Sequence, residues 1–246
     1  MGAILDNTAY EQHLSMSSDR CSNGKIKLSE LMKLHEKIGE LHLNVFGSDS
    51  NELRNDHHVA FIFTKIAILV HRLPRENESI VLRTWCSGLK GVRFTRNYQS
   101  FDSDGNVLTE SKCEMTIIDL KSRRIVRPIS LPGFEGHLYN DEIENRCEAP
   151  KKIALPDDMT VIGTHRADDR DIDQNGHVNN TVYADIMTQF IPEEYSGSDI
   201  KSIEINYISE VIPHEEIKLS TSSCDGQVVF SGATDNRTVF SGVIRF

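Results

Sequence analysis

The sequence lacks several features that mark particular classes of protein. Its longest apolar run, residues 59–70, is shorter than the ~20 residues of a membrane-spanning helix and contains Thr64 and Lys65. The first residues include acidic side chains and show no charged segment followed by an apolar one, so we do not expect secretion. Five widely spaced cysteines without a CxxC pair argue against a disulfide framework or a structural zinc site. We therefore expect a cytoplasmic protein without a membrane partner.

Positive charge is also scarce. The chain has 27 Lys and Arg against 37 Asp and Glu, for a net charge of −10. Non-specific binding to nucleic acid needs excess positive charge, so we expect no nucleic-acid partner. Residues 1–135 contain 18 basic and 17 acidic residues, whereas residues 136–246 contain 9 and 20. A chain of 246 residues has room for one large or two small domains, and this difference in charge favours two.

An internal repeat supports the same division. Residues 19–26 (DRCSNGKI) and residues 171–178 (DIDQNGHV) share an Asp, an Asn-Gly pair and a β-branched aliphatic residue. After each segment, apolar residues recur with the period of a helix, beginning near Leu28 and Tyr183. Strand patterns follow each predicted helix, at 59–63, 66–70, 79–85, 94–101 and 112–119, and then at 202–207, 216–221, 228–233 and 239–246. We predict an α+β fold in which a helix is followed by antiparallel strands twice, with a linker at 136–156.

A compact polar run at residues 171–180 precedes the second predicted helix and admits several interpretations. Its D-x-D-x-N-G start fits a calcium-binding loop, but Val182 occupies the twelfth position, where a bidentate Glu is needed. One His among carboxylates lacks the ligand set of a zinc site. Asn179 or Asn180 fits a helix cap, because its side-chain oxygen accepts unpaired backbone N–H groups. Capping does not exclude a further role.

The run D-x-N-x-H-V-N-N-x-x-Y at residues 173–183 resembles the signature of the acyl-acyl-carrier-protein thioesterases of plant plastids and bacteria. In that family a later strand carries an essential Glu, often followed by Cys, and here Glu210 and Val211 occupy those positions. The resemblance extends over nearly the whole chain. It implies two tandem hotdog folds, each a long helix packed on an antiparallel sheet. Because Val211 has no thiol, a cysteine nucleophile at that position is excluded.

The resemblance implies hydrolysis of the thioester of a fatty acyl-carrier protein, with release of a free fatty acid and without a metal or organic cofactor. Thioester hydrolysis needs an activated water and a donor to the developing oxyanion. Either Glu210 or Asp173 can act as the base. His177 can pass a proton or polarise the carbonyl, and Asn175 can donate through its amide. A helix that begins near Asn179 would add backbone N–H groups that favour negative charge.

Spacing adds a conditional expectation for this site. Asp173, Asn175 and His177 are two positions apart, so an extended segment would place all three side chains on one face. A curled loop would defeat that inference.

The first half of the repeat carries different residues at the equivalent positions. At the offset of 152 residues, Cys21, Asn23 and Lys25 stand where the second half has its acid–base set. We therefore predict a degenerate site in an N-terminal hotdog at 1–135 and the active site in a C-terminal hotdog at 157–246. In the family that is resembled, the N-terminal hotdog is associated with holding the acyl chain. Apolar residues of 28–45 and 59–70 could line that channel or form ordinary core.

A basic cluster in the first half bears on the choice of partner. It comprises Lys121, Arg123, Arg124 and Arg127. Such a run is commonly a solvated strand end, and the alternative is a docking patch for an acidic acyl carrier protein. An acyl-CoA thioesterase would use the same site, and a non-catalytic acyl-binding hotdog protein would need no acid–base set. A homodimer is a further expectation, although a tandem repeat already forms an internal pseudo-dimer.

Overall fold

A computed structural model describes residues 2–5, 8–45, 50–127 and 139–246. Within these residues the helices are α1 (Leu28–Val45), α2 (Ser50–Asn55) and α3 (Val182–Gln189). Strands in the first half are β1 (Gly2–Leu5), β2 (Ala9–Ser15), β3 (Cys21–Ser22), β4 (Lys25–Ile26), β5 (Val59–Val70), β6 (Ser79–Lys90), β7 (Arg93–Phe101), β8 (Val107–Asp119) and β9 (Ile125–Val126). Strands in the second half are β10 (Thr160–Arg166), β11 (Ser202–Tyr207), β12 (Glu216–Cys224), β13 (Gln227–Ala233) and β14 (Thr238–Arg245).

Helix α1 forms because apolar residues recur every three or four positions from Leu28 onwards. Leu31 and Ile38 are fully buried on this face, whereas Lys37 and Glu40 are exposed on the other. The buried face packs against β6 and α3. The helix predicted to begin near Leu28 is therefore confirmed, and it connects the core of the first half to the second half.

One antiparallel sheet runs through the molecule in the order β1-β2-β6-β7-β8-β5-β11-β14-β13-β12-β10. Strands β5 and β11, each the first long strand after the helices of its half, lie side by side at the centre of the sheet. Moving outward, the first half continues with β8, β7, β6 and β2, and the second half with β14, β13, β12 and β10, so the two halves follow the same order. Strand β1 adds one further edge on the side of the first half. The predicted arrangement of a helix followed by antiparallel strands is therefore present twice, which confirms the α+β class.

Strands β5 and β11 join the two halves at the centre of the sheet. Ile66 pairs directly with Ile205 in this antiparallel ladder, and both side chains are buried. Pro74 follows β5 and Pro213 follows β11, and the offset of 139 residues between these prolines also relates Ile66 to Ile205. A pseudo-two-fold axis therefore passes through this pair.

Several elements differ from the sequence predictions. Helix α3 spans 8 residues and is not a long helix. It ends at Gln189, and Pro192 lies just beyond, where a helix cannot continue without losing a hydrogen bond. Residues 59–70 form one strand instead of two, with a bulge between Phe63 and Lys65. The patterns also fail to predict β2 and β10, whose sequences lack a clear alternation of apolar and polar residues.

The predicted linker at 136–156 is described from Tyr139 onwards, and residues 136–138 lie outside the described residues. Residues 146–154 lie against β5 and β11 beside the central pair. Asn206 fixes this segment, because its side chain accepts a hydrogen bond from Ile153 N at 3.0 Å and donates one to Lys151 O at 3.0 Å. No helix among the described residues combines the length and the apolar character needed to cross a membrane.

Candidate active site

The polar run identified in the sequence forms a loop between β10 and α3. Asp171 organises its start: one carboxylate oxygen lies 2.8 Å from His165 Nε2 and accepts a hydrogen bond from Asp168 N at 3.1 Å. The Asp171 carbonyl accepts a hydrogen bond from Asn179 N at 2.7 Å, which closes the loop. Asp171 therefore has a positioning role, and the segment between it and Asn179 is held as a compact unit.

Asp173 occupies the turn at the tip of this loop. Its carboxylate accepts hydrogen bonds from Asn175 N at 2.7 Å, from Asn175 Nδ2 at 2.9 Å and from His177 N at 3.4 Å. Gly176 has φ of +81°, a conformation that L residues with a side chain rarely adopt. The segment is therefore curled, and the conditional expectation that Asp173, Asn175 and His177 share one face of an extended segment is wrong. The Asn175 amide donates to Asp173 in this arrangement.

The structure brings His177 and Glu210 together from separate segments of the second half. His177 Nε2 lies 3.4 Å from Glu210 Oε2. A backbone hydrogen bond from Val178 N to Val211 O, at 2.8 Å, joins the two segments next to this contact. Arg237 donates to the Glu210 carbonyl at 2.8 Å and holds the loop after β11 from the other side. The side chains are 27% and 44% exposed, so this pair is partly accessible to solvent.

The first half contributes Arg123 to the same place. Its guanidinium forms a short ion pair with the other carboxylate oxygen of Glu210. Arg123 has φ of +58° in the turn after β8, and Asp119 holds that turn by accepting hydrogen bonds from Lys121 N and Ser122 N. One residue of the predicted docking patch therefore contacts a predicted catalytic residue, which the sequence did not indicate.

Helix α3 begins at Val182, three residues later than expected. The Asn179 side-chain oxygen accepts hydrogen bonds from Thr181 N at 2.8 Å and Thr181 Oγ1 at 2.7 Å. The Asn179 carbonyl accepts from Val182 N at 3.0 Å. Asn179 thus caps the turn that leads into the helix, and the expectation of free backbone N–H groups does not hold at Thr181 and Val182.

Helix α1 of the first half adds a carboxyl group that the sequence analysis missed. Glu36 is half-buried and lines a small cavity together with Asn180 of the polar loop. Burial, followed by the negative charge of Asp173, raises the pKa of the Glu36 carboxyl to about 7. In sequence, Glu36 stands among Lys33, Lys37 and Glu40, which made it look like part of a solvated helix face.

Among the described residues, no group of three or more His, Cys, Asp or Glu is arranged to hold a metal ion. Thiol chemistry finds little support in this geometry. The five cysteines are free thiols. Burial raises the pKa of the Cys147 thiol to about 11 and that of Cys113 well above its usual range, which disfavours the reactive thiolate. Val211, which follows Glu210, is fully buried.

Comparison with known proteins connects this chain to a family. The model of the acyl-ACP thioesterase N-terminal domain matches residues 8–129, and that of the C-terminal domain matches residues 163–240. The chain is 22% identical over 186 residues to oleoyl-acyl carrier protein thioesterase 2, chloroplastic, of Arabidopsis thaliana, a match that covers 70% of this chain and 50% of that protein. The chain spans about half the length of the curated relatives it matches.

Solved structures agree at the level of the fold. An acyl-ACP thioesterase from Bacteroides thetaiotaomicron superposes with a TM-score of 0.89 at 20% identity, over 98% of both chains. The 12:0-ACP thioesterase from Umbellularia californica superposes with a TM-score of 0.85 at 16% identity, over 99% of this chain and 98% of that one. These similarities confirm the tandem hotdog fold. Because the two family models together account for most of its residues, the chain belongs to the acyl-ACP thioesterase family.

Proposed function

We propose that this chain hydrolyses the thioester of a fatty acyl group carried on acyl carrier protein and releases the free fatty acid. The observation that carries the proposal is the contact between His177 and Glu210, at 3.4 Å, beside a polar loop at the boundary of the two halves. An imidazole paired with a carboxylate is suited to polarise a carbonyl or to pass a proton during hydrolysis. A protein that only bound acyl groups would not need such a pair.

The four site residues then have different roles. Glu210 orients His177 through the contact between Oε2 and Nε2. Asp173 uses its carboxylate to hold the loop, since it accepts hydrogen bonds from three donors of that loop, and it is therefore less available to take a proton from water. Asn175 can turn its exposed amide towards a developing oxyanion only by giving up its bond to Asp173.

We assign acyl carrier protein, and not CoA, as the carrier of the acyl group, because of the charge and the position of the basic cluster. Lys121, Arg123, Arg124 and Arg127 are exposed on the loop after β8 and beside β9. Arg123 contacts Glu210, so this basic cluster adjoins the site to which a carrier would deliver its acyl arm. An acidic carrier approaching this face gains attraction that the negatively charged second half does not offer.

We assign the two halves different tasks. Residues 157–246 supply His177 and Glu210, and residues 1–135 hold the acyl chain beneath α1, with 136–156 as the linker. A cytoplasmic location fits this role, because the five cysteines are free thiols, as is usual in a reducing compartment. Homodimerisation stays a prediction.

Kinetics on matched substrates test the function. The purified chain is incubated with the same acyl group on acyl carrier protein and on CoA, and a thiol reagent follows release of the free thiol. We expect a kcat/KM at least ~10-fold higher for the carrier-protein substrate, equivalent to about 1.4 kcal/mol of additional binding to the transition state. A higher value for CoA would identify an acyl-CoA thioesterase instead. Binding without release of thiol from any acyl thioester would identify a non-catalytic acyl-binding protein.

A further inference from the structure

A small cavity lies where α1 of the first half meets the polar loop of the second half. Its volume is about 10 Å³, near the minimum that holds one water molecule. Its walls come from α1, β5, β7, β11 and the residue two positions before α3. The polar residues that line it are His35, Glu36, Tyr98, Asn180 and Tyr207.

Polar groups without full hydrogen bonding face this cavity. His35 is 2% exposed, and neither of its ring nitrogens has a hydrogen-bond partner among the described residues. Its ring stacks on Tyr98 at 4.3 Å between centroids, which fixes its orientation. Burial lowers the pKa of His35 to about 3, so the ring is neutral and offers one donor and one acceptor. An unpaired buried polar group is costly, and a water or a reacting atom in the cavity would remove that cost.

Glu36 is the carboxyl group that lines this cavity. The other two candidate bases have their oxygens engaged: Glu210 with Arg123 and His177, and Asp173 with its own loop. Carboxylate oxygens that are held in such contacts are less accessible to a water. Glu36 has no guanidinium in contact, and Lys33, which is exposed one turn earlier on the helix, acts on it more weakly than burial does.

We propose that Glu36, supplied by the N-terminal half, is the general base that activates the water attacking the thioester carbonyl. The inference rests on the proposed hydrolysis. A water in the cavity would contact both Glu36 and a ring nitrogen of His35. The reacting centre is then assembled from both halves of the chain: Glu36 from one, and His177 with Glu210 from the other.

The proton balance of the step is simple. The Glu36 carboxylate takes a proton from water while the water oxygen bonds to the acyl carbon and the carbonyl oxygen gains the electron pair. The carbonyl then re-forms, the C–S bond breaks with its electron pair on sulfur, and the sulfur accepts the proton from Glu36. The products are the fatty acid and the carrier thiol, and Glu36 is again a carboxylate.

This assignment makes the rate depend on pH in a defined direction. Activity should rise with pH as Glu36 loses its proton near pH 7. The titratable and charged groups that face Glu36 from the surrounding elements are Lys33 and His35 on α1, Tyr98 on β7, Cys113 on β8, Asp173 on the loop and Tyr207 on β11. Burial keeps His35, Tyr98, Cys113 and Tyr207 neutral through that pH range.

The decisive variant is Glu36→Gln in the full chain, with Glu40→Gln as the matched control on the exposed side of the same helix. We expect Glu36→Gln to lower kcat on acyl-carrier protein at least ~100-fold with little change in KM, and Glu40→Gln to leave both unchanged. We also expect the acidic limb of the kcat/KM profile near pH 7 to disappear in the Gln variant. A folded Glu36→Gln protein that keeps near-full activity, or that keeps this limb, overturns the assignment.

Two further measurements keep the outcomes distinct. Glu36→Asp, which retains the carboxyl group on a shorter arm, should recover part of the lost kcat, and equal loss in the Asp and Gln variants argues for packing alone. Infrared or carbon-13 titration of the Glu36 carboxyl in the wild-type chain needs neither a substrate nor a foldable variant, and a titration near pH 4.5 overturns the proposal. If the wild-type chain hydrolyses no acyl thioester while Glu36 titrates near pH 7, the proposed function fails and the base role fails with it.

Discussion

Replacing Glu36 by Gln should stabilise the protein at alkaline pH, because the folded state raises the pKa of this carboxyl from 4.5 to about 7. A pKa that is raised on folding means that ionisation favours the unfolded chain. Ionisation of Glu36 therefore leaves the free energy of unfolding unchanged below pH 4.5, lowers it as the pH rises towards 7, and changes it little at higher pH. A glutamine at this position stays neutral, so the variant does not lose this stability.

The magnitude follows from the size of the shift. A difference of about 2.5 pKa units corresponds to a loss of about 3 kcal/mol at pH 8 in the wild-type protein. Roughly 2 kcal/mol of this loss falls between pH 5 and pH 7. Against a total unfolding free energy that is typically 5–15 kcal/mol for a globular protein, such a change is readily measured.

Urea denaturation at pH 5 and pH 8 provides the assay, with wild type, Glu36→Gln and Glu40→Gln measured side by side. We expect the midpoint of Glu36→Gln to exceed that of wild type by roughly 1 M at pH 8 and by much less at pH 5. His35 and His42, whose pKa values burial lowers to about 3, destabilise all three proteins alike at acid pH and cancel in the comparison. A difference between Glu36→Gln and wild type that is absent or equal at both pH values would refute the reasoning.

Three further predictions concern the residues around the site. His177→Ala and Glu210→Gln should each lower kcat/KM at least ~100-fold in steady-state assays. Asp173→Asn should do the same and also increase proteolysis of the loop, because an Asn side chain cannot accept all of the hydrogen bonds that Asp173 accepts. Near-full activity in any folded variant removes that residue from the mechanism. Combined Lys121→Glu and Arg124→Glu should raise KM for acyl-carrier protein at low salt without changing kcat or the activity on a small acyl thioester, and equal effects on both substrates would return these residues to solvated surface. Replacing each of the five cysteines by Ala, one at a time, should leave turnover on the same order, and a folded variant that loses activity would identify a thiol nucleophile.

The structure changes the design of the docking test. Sequence alone gives Arg123 and Arg124 equal claims to a docking role. Arg123 forms an ion pair with Glu210, so its replacement by Glu would place two carboxylates together and alter the site itself. Arg124 and Lys121 are exposed, and no such contact ties them to Glu210 among the described residues. Of these three residues, Lys121 and Arg124 can separate docking from catalysis.

Periodicity in the sequence predicted the long helix and the inner strands well. Apolar residues at helical spacing place α1 correctly, and strand β11 has the predicted bounds, because buried residues there leave a strong pattern. The outer strands β2 and β10 carry polar side chains on both faces and leave no such signal. The short α3 depends on Pro192, whose effect on the length of the helix a count of apolar positions does not capture.

The candidate site was predictable only within the second half of the chain. The motif gave Asp173, Asn175 and His177, and the resemblance gave Glu210. Contacts between the halves leave no trace in the local sequence pattern, because they depend on how the two halves of the sheet join at the pair Ile66 and Ile205. Glu36 and Arg123 reach the site only because the halves are joined there, so charge and spacing alone could not single them out.

The pairing of Ile66 with Ile205 also bears on how many copies of the motif one chain carries. In a dimer of identical subunits, every substitution occurs twice, and both sites must change together. Here the two sides of the axis are encoded separately, so the first half can carry Cys21, Asn23 and Lys25 where the second half carries its motif. One chain therefore carries the motif once, and the proposed hydrolysis has a single reaction centre in each chain. We expect hyperbolic saturation, because no second copy of the motif lies in the same chain to produce cooperativity.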